Sequence, residues 1–148
     1  MRENGRSMVE MLGVLAIIGV LSVGAISGYS KAMMKYKLNK QAEQLSWLFN
    51  IIYQYKGQFV YDKKTSMIPL FTKLNLIDQN MIHADKKETI YDSFGNAITI
   101  SNNNGPTFNE ILFSIGLNGS VSDRFSICQN IFNVAKAHSP YLLYIRTD

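Results

Sequence analysis

Between Glu10 and Lys31 the chain carries no charged side chain, and Met11 to Ser30 gives twenty consecutive uncharged residues. At about 1.5 Å per residue, a helix of that length spans roughly the 30 Å hydrocarbon core of a bilayer. A helix is also the form such a run takes in lipid, where unpaired backbone groups find no partners. Beyond the run, Met34, Leu38, Ala42, Leu45, Phe49 and Ile52 recur at steps of three and four and mark one helical face. Lys35, Asn39, Lys40, Glu43, Gln44 and Asn50 fall on the rest of that surface. No Pro or Gly interrupts residues 31–56. The pattern therefore predicts one helix from near Ser7 to about Tyr55, with Gly57 as its C-terminal cap residue.

After Gly57 the texture changes. Pro69 opens a short helix or turn within Ile68–Leu76. Thr89–Tyr91 and Ala97–Ile100 read as strands joined by Asp92-Ser93-Phe94-Gly95-Asn96, a stretch with turn chemistry. Asn102-Asn103-Asn104-Gly105-Pro106 reads as a breaker. Glu110–Leu117 alternates weakly before Gly119. Ser122–Ala137 places Phe125, Cys128, Ile131, Phe132 and Ala135 at helical spacing, with Ser122 as the candidate cap, and Tyr141–Ile145 reads as a final aromatic strand. The expected class is α+β: a long N-terminal helix, first transmembrane and then amphipathic, packed on a small antiparallel sheet.

A length of 148 residues allows one domain plus an appendage, and the net charge of +4 is unevenly placed. From Arg6 to Tyr61 six basic residues (Arg6, Lys31, Lys35, Lys37, Lys40, Lys56) stand against Glu10 and Glu43, whereas residues 62–148 hold eight of each sign. The basic excess lies beside the apolar run and not on the globular part, which argues against a nucleic-acid surface. The sole cysteine, Cys128, has no intrachain disulfide partner and reads as a buried small apolar residue. His83 and His138 are isolated and read as surface or helix-end residues. Asp85, Glu88 and Asp92 lack the alternate-position pattern of a Ca²⁺ loop, and Trp47 reads as a packing residue. No Ser/His/Asp set, phosphate loop or pair of acids emerges. The chain is therefore expected to be no enzyme, with no metal, cofactor or small-molecule substrate.

Gly24 and Gly28 make a small-xxx-small pair, the spacing that lets two helices approach closely in lipid; the alternative is that glycine is simply common in membrane helices. Ser7 and Glu10 form Ser-x-x-Glu ahead of an apolar run, the pattern of a capping box. Gly5, the arginine after it, a glutamate as the fifth residue beyond that glycine, and an apolar helix that follows at once resemble the N-terminal signal of type IV prepilins and of type II secretion pseudopilins. Leu76–Ile82, Phe94-Gly95 ahead of an alternating strand, and Ser122–Cys128 opening a late helix are similar to the globular half of type IVb pilins.

The resemblance implies a leader of residues 1–5, cut after Gly5 by a prepilin peptidase that also methylates the new N-terminal amine, here on Arg6. It implies an assembly helix over residues 6–30, an amphipathic helix and linker over 31–61, and a pilin-like domain over 62–148. It implies that Glu10 meets the N-terminal amine of a neighbouring subunit and sets the axial register, an alternative to simple capping. The implied partners are copies of the chain or other pilin-like subunits, the peptidase, an assembly platform protein and the inner membrane. Three departures stand out: Arg6 where the family favours Phe or Met, no second cysteine after Cys128, and a leader in which Arg2 and Glu3 cancel.

Lys31, Lys35, Lys37 and Lys40 follow the span, so the positive-inside rule would place the globular part in the cytoplasm. The resemblance implies the reverse: N-terminus cytoplasmic, globular domain periplasmic, then a place in a pilus or pseudopilus. Two further readings stay open. One is a secreted soluble protein released by ordinary signal peptidase near Val23-Gly24-Ala25. The other is a DNA-uptake pilin whose lysines touch phosphate.

Overall fold

An unbroken set of helix-compatible residues gives an unbroken helix. In the computed structural model, which describes residues 4–58, 65–104 and 109–138, helix α1 runs Asn4–Tyr55 and passes into a 3-10 turn at Lys56–Gln58. The Ser22 hydroxyl donates to the Ile18 carbonyl at 2.7 Å, so this polar group is satisfied within the helix itself. The chain divides into two compact units, Met1–Tyr36 and Lys37–Asp148.

The second unit is α+β. Helix α2 spans Ile68–Lys73 with Pro69 in its first turn, and a 3-10 turn follows at Gln79–Met81. Strands β1 (Ile90–Tyr91), β2 (Ala97–Asn104) and β3 (Asn109–Gly116) form an antiparallel sheet in that order, and helix α3 spans Val121–Ala137. The register pairs Ile90 with Ile98, Ile98 with Ile115, Ile100 with Phe113 and Asn102 with Ile111. Ile98, Ile100 and Asn102 of β2 are thus buried on one face, each beside an apolar neighbour. Leu45, Leu48, Phe49 and Ile51 of α1 cluster with Ile90, Ile98 and Ile100, and with Met67, Ile68, Phe71, Ile77, Met81, Val134 and Ala135.

The buried face of α1 is wider than the predicted stripe. Leu48 and Ile51 are buried as deeply as Leu45, and Gln44, expected on the surface, is buried too. A stripe of six residues suits a helix covered from one side, whereas this helix is covered by more than one element, α3 among them. Helix α1 ends at Tyr55, where the pattern placed its end, but Gly57 lies inside the 3-10 turn that follows and does not take the left-handed conformation of a capping glycine.

Three expectations are corrected. Asn102–Asn104 belong to β2 and do not break it. The Asn102 amide donates to the Thr65 carbonyl and its side-chain oxygen accepts from the Thr65 amide, so a buried asparagine is satisfied inside a strand. Gly105-Pro106 and the predicted strand Tyr141–Ile145 lie outside the described residues. The N-cap of α3 is Ser120, not Ser122. Gly119, at φ +106°, turns the chain so that the helix starts two residues earlier than its polar pattern suggested. Ser120→Ala is expected to destabilise the domain by about 1 kcal/mol in urea unfolding, the usual cost of a lost N-cap.

The third correction concerns the face of α3. Cys128 is exposed, as are Phe125 and Phe132, while Ile127, Val134 and Ala135 are buried and Ile131 is partly so. Two apolar arcs lie on this helix, and periodicity alone could not rank them. Asn130 fixes the rotation: its side-chain amide donates to the Leu38 carbonyl at 2.9 Å and to Gln41 Oε1 at 3.0 Å, which turns the arc beside it toward α1. His138 caps the helix, its Nδ1 2.9 Å from the Val134 carbonyl oxygen, and its ring stacks at a tilt on Phe49, 5.4 Å between centroids.

Candidate functional site

The unit Met1–Tyr36 holds every residue that the sequence nominated for assembly. Its large apolar side chains from Met8 to Ile26 are between 52 and 76 % exposed among the described residues. This helix is long and apolar enough to cross a membrane. Gly5 and Arg6 lie in the opening turns of α1, and the side chains of residues 4–7 lie outside the described set. The helix already runs through Asn4 to Ser7, so Ser7 lies inside it and not at the N-cap position that a capping box requires. Glu10 is exposed on the first apolar turns.

At about 100° per residue, Glu10, Gly13, Gly24 and Gly28 fall within roughly 60° of one another on the helix surface. A Cβ added at Gly13, Gly24 or Gly28 would meet nothing within 4 Å. The chain's own packing therefore makes no demand for glycine here, although each one costs about 1 kcal/mol of helix propensity relative to alanine.

The unit Lys37–Asp148 contains a buried polar seam that pattern reading missed. Asp92 is 6 % exposed, and its carboxylate is surrounded by donors. Oδ1 accepts from the backbone N–H groups of Phe94 and Asn96, both at 2.9 Å; Oδ2 accepts from Gln41 Nε2 at 2.5 Å and Asn96 Nδ2 at 2.9 Å. The first pair closes the β1–β2 turn as an Asx-type loop, with Gly95 taking φ +77° at its tip. The second pair fixes which way the Gln41 and Asn96 amides point. Their oxygens then accept from Asn130 Nδ2 and the Asn118 amide respectively. Gln44 Oε1 accepts from the Ser93 amide at 3.0 Å, and the Ser93 hydroxyl donates to the Lys37 carbonyl at 2.8 Å. One carboxylate thereby ties α1 to the hairpin and, through Gln41 and Asn130, to α3.

The sequence signal for this seam was faint: Gln41 falls beside the apolar stripe of α1, and Asp92 and Asn96 frame the turn, whereas Gln44 was read as a surface residue. The seam spends its donors and acceptors internally and presents no reactive group. Asp85 and Glu88, weighed with Asp92 as cation ligands, are exposed, and no group of three potential metal-ligating side chains occurs among the described residues. His83 packs edge-on against Tyr91 at 4.5 Å. Trp47 is half exposed, and its indole N–H donates to the Leu76 carbonyl at 2.7 Å, which ties α1 to the segment after α2. The chain matches no protein-family model, no curated protein and no solved structure.

Proposed function

We propose that the chain is a pilin-like structural subunit of a type IV pilus or type II secretion pseudopilus, stored as a single-pass membrane protein and assembled through its N-terminal helix. The observation that carries this reading is a coincidence in one segment: Gly5, a glutamate five residues beyond it, and a helix whose apolar side chains are exposed all round. A helix apolar on every side calls for lipid or other helices as its surroundings, and a pilin meets the first in storage and the second in the filament. Glycine at the cut suits a peptidase that needs close approach to backbone. The small residues on the Glu10 face suit close helix contact. In this reading the N-terminus is cytoplasmic and the globular unit periplasmic, and the partners are further copies or other pilin-like subunits, the peptidase and an assembly platform protein.

Co-expression with a prepilin peptidase tests the reading. The mature chain is expected to begin at Arg6, and Gly5→Ala is expected to abolish the cut, both read by intact mass. A chain that keeps residues 1–5, or a Gly5→Ala chain cut as well as the parent, would sink the proposal. An N-terminus at Ile26 would establish release by ordinary signal peptidase instead.

A further inference from the structure

Glu10 and Lys31 bracket the apolar span, 21 positions apart, or about 31 Å along a helix axis. That matches the hydrocarbon thickness of a bilayer. With Glu10 at one boundary, Lys31 sits at the other, among headgroups. Four lysines follow the span, and the folded unit engages two of them. The Lys37 ammonium lies 5.8 Å from the centroid of the Phe94 ring, and Lys40 Nζ donates to Glu43 Oε2 at 3.3 Å and lies 3.9 Å from Asp78 Oδ2. Lys31 and Lys35 are exposed and have no ion pair or hydrogen-bond partner among the described residues.

These two lysines stand one helical turn apart, with Cβ atoms about 5–6 Å from each other, so both ammonium groups reach a single phosphate. Tyr29 and Tyr36 flank them, 67 and 64 % exposed. Tyrosine with its ring toward the apolar side and its hydroxyl in the polar layer is the usual anchor at a membrane–water boundary. Glu43 and Asp78 are both within ion-pair distance of Lys40.

We infer that Lys31 and Lys35 bind the phosphate of an anionic phospholipid headgroup at the outer end of the span, with Tyr29 and Tyr36 holding the helix at that depth. The inference rests on the membrane-stored subunit proposed above, and it gives the lysines a role at the boundary where the positive-inside rule leaves them unexplained. Each lysine near an anionic lipid surface contributes about 1 kcal/mol, so losing both corresponds to roughly a thirtyfold loss of affinity.

The test uses the full chain in uncharged detergent micelles, titrated separately with phosphatidylglycerol and phosphatidylcholine, with bound lipid counted by native mass spectrometry. The parent is expected to prefer phosphatidylglycerol. The double variant K31Q/K35Q is expected to bind it roughly thirtyfold more weakly and to bind phosphatidylcholine as the parent does. The variant K37Q/K40Q removes the same charge and is expected to keep the preference. Equal losses in the two double variants would reduce the effect to net charge and overturn the inference, as would a parent without preference. Trp47 fluorescence checks that each variant is folded. The intact mass of chain co-expressed with the peptidase separates the two proposals: an uncut chain that prefers phosphatidylglycerol sinks the pilin reading alone, and a cut chain without preference sinks this one alone.

Discussion

Asp92→Ala is expected to destabilise the globular unit by about 3–5 kcal/mol. The reasoning is one of stranded donors. Four N–H groups lose their acceptor together, two of them on Gln41 and Asn96, which are fully buried and have no water to turn to. Individual losses of about 1–3 kcal/mol do not sum, because the turn relaxes once its Asx bonds are gone. Asp92→Asn keeps the shape and is expected to cost less, about 1–2 kcal/mol. An asparagine must turn its NH₂ toward one pair of donors. If that pair is Gln41 and Asn96, their amides have to flip and surrender Asn130 and the Asn118 amide. Urea unfolding of the full chain in mild detergent, followed by the fluorescence of its single tryptophan, Trp47, measures both variants. A loss under about 1 kcal/mol for Asp92→Ala would show that the seam is solvated and not the tie described here.

Glu10→Gln separates register from membrane insertion. On the proposed assembly reading the variant is expected to insert, fold and be cut after Gly5 as the parent is, since Gly5 and the apolar run are untouched. Filament formation is expected to fail. An amine drawn into a bundle of apolar helices needs a charge partner, and glutamine supplies a dipole where the parent supplies a carboxylate. The cost of an unmatched charge in such surroundings corresponds to about a hundredfold weaker incorporation per subunit. Electron microscopy of sheared filaments and intact mass of the cell-associated chain report the two halves of the prediction. Filaments of normal yield from a correctly cut Glu10→Gln chain would remove the register role. A chain left uncut would place Glu10 in peptidase recognition instead.

The elements were legible in the sequence because each rests on local rules. Absence of Pro and Gly over residues 31–56 was enough for one helix through Tyr55, and the β1–β2 turn followed from Asp92 to Asn96. The exposed apolar segment was equally plain, since twenty uncharged residues leave few alternatives. What local rules do not contain is who covers whom. Leu48, Ile51 and Gln44 are buried because neighbouring elements close over more than one side of α1, and nothing in a helical period announces a second cover. Cys128, with Phe125 and Phe132, faces outward because Asn130 bonds back to Leu38 and Gln41, a choice between two equally apolar arcs. Asn102–Asn104 belong to a strand because β3 pairs with them in register, and Thr65 supplies further partners to Asn102 from far along the chain. Periodicity and turn chemistry thus determined the elements and the apolar N-terminal helix. Tertiary contacts alone decided the rotation of α3, the width of the core and the polar seam, because a buried hydrogen bond between distant residues leaves no period to read.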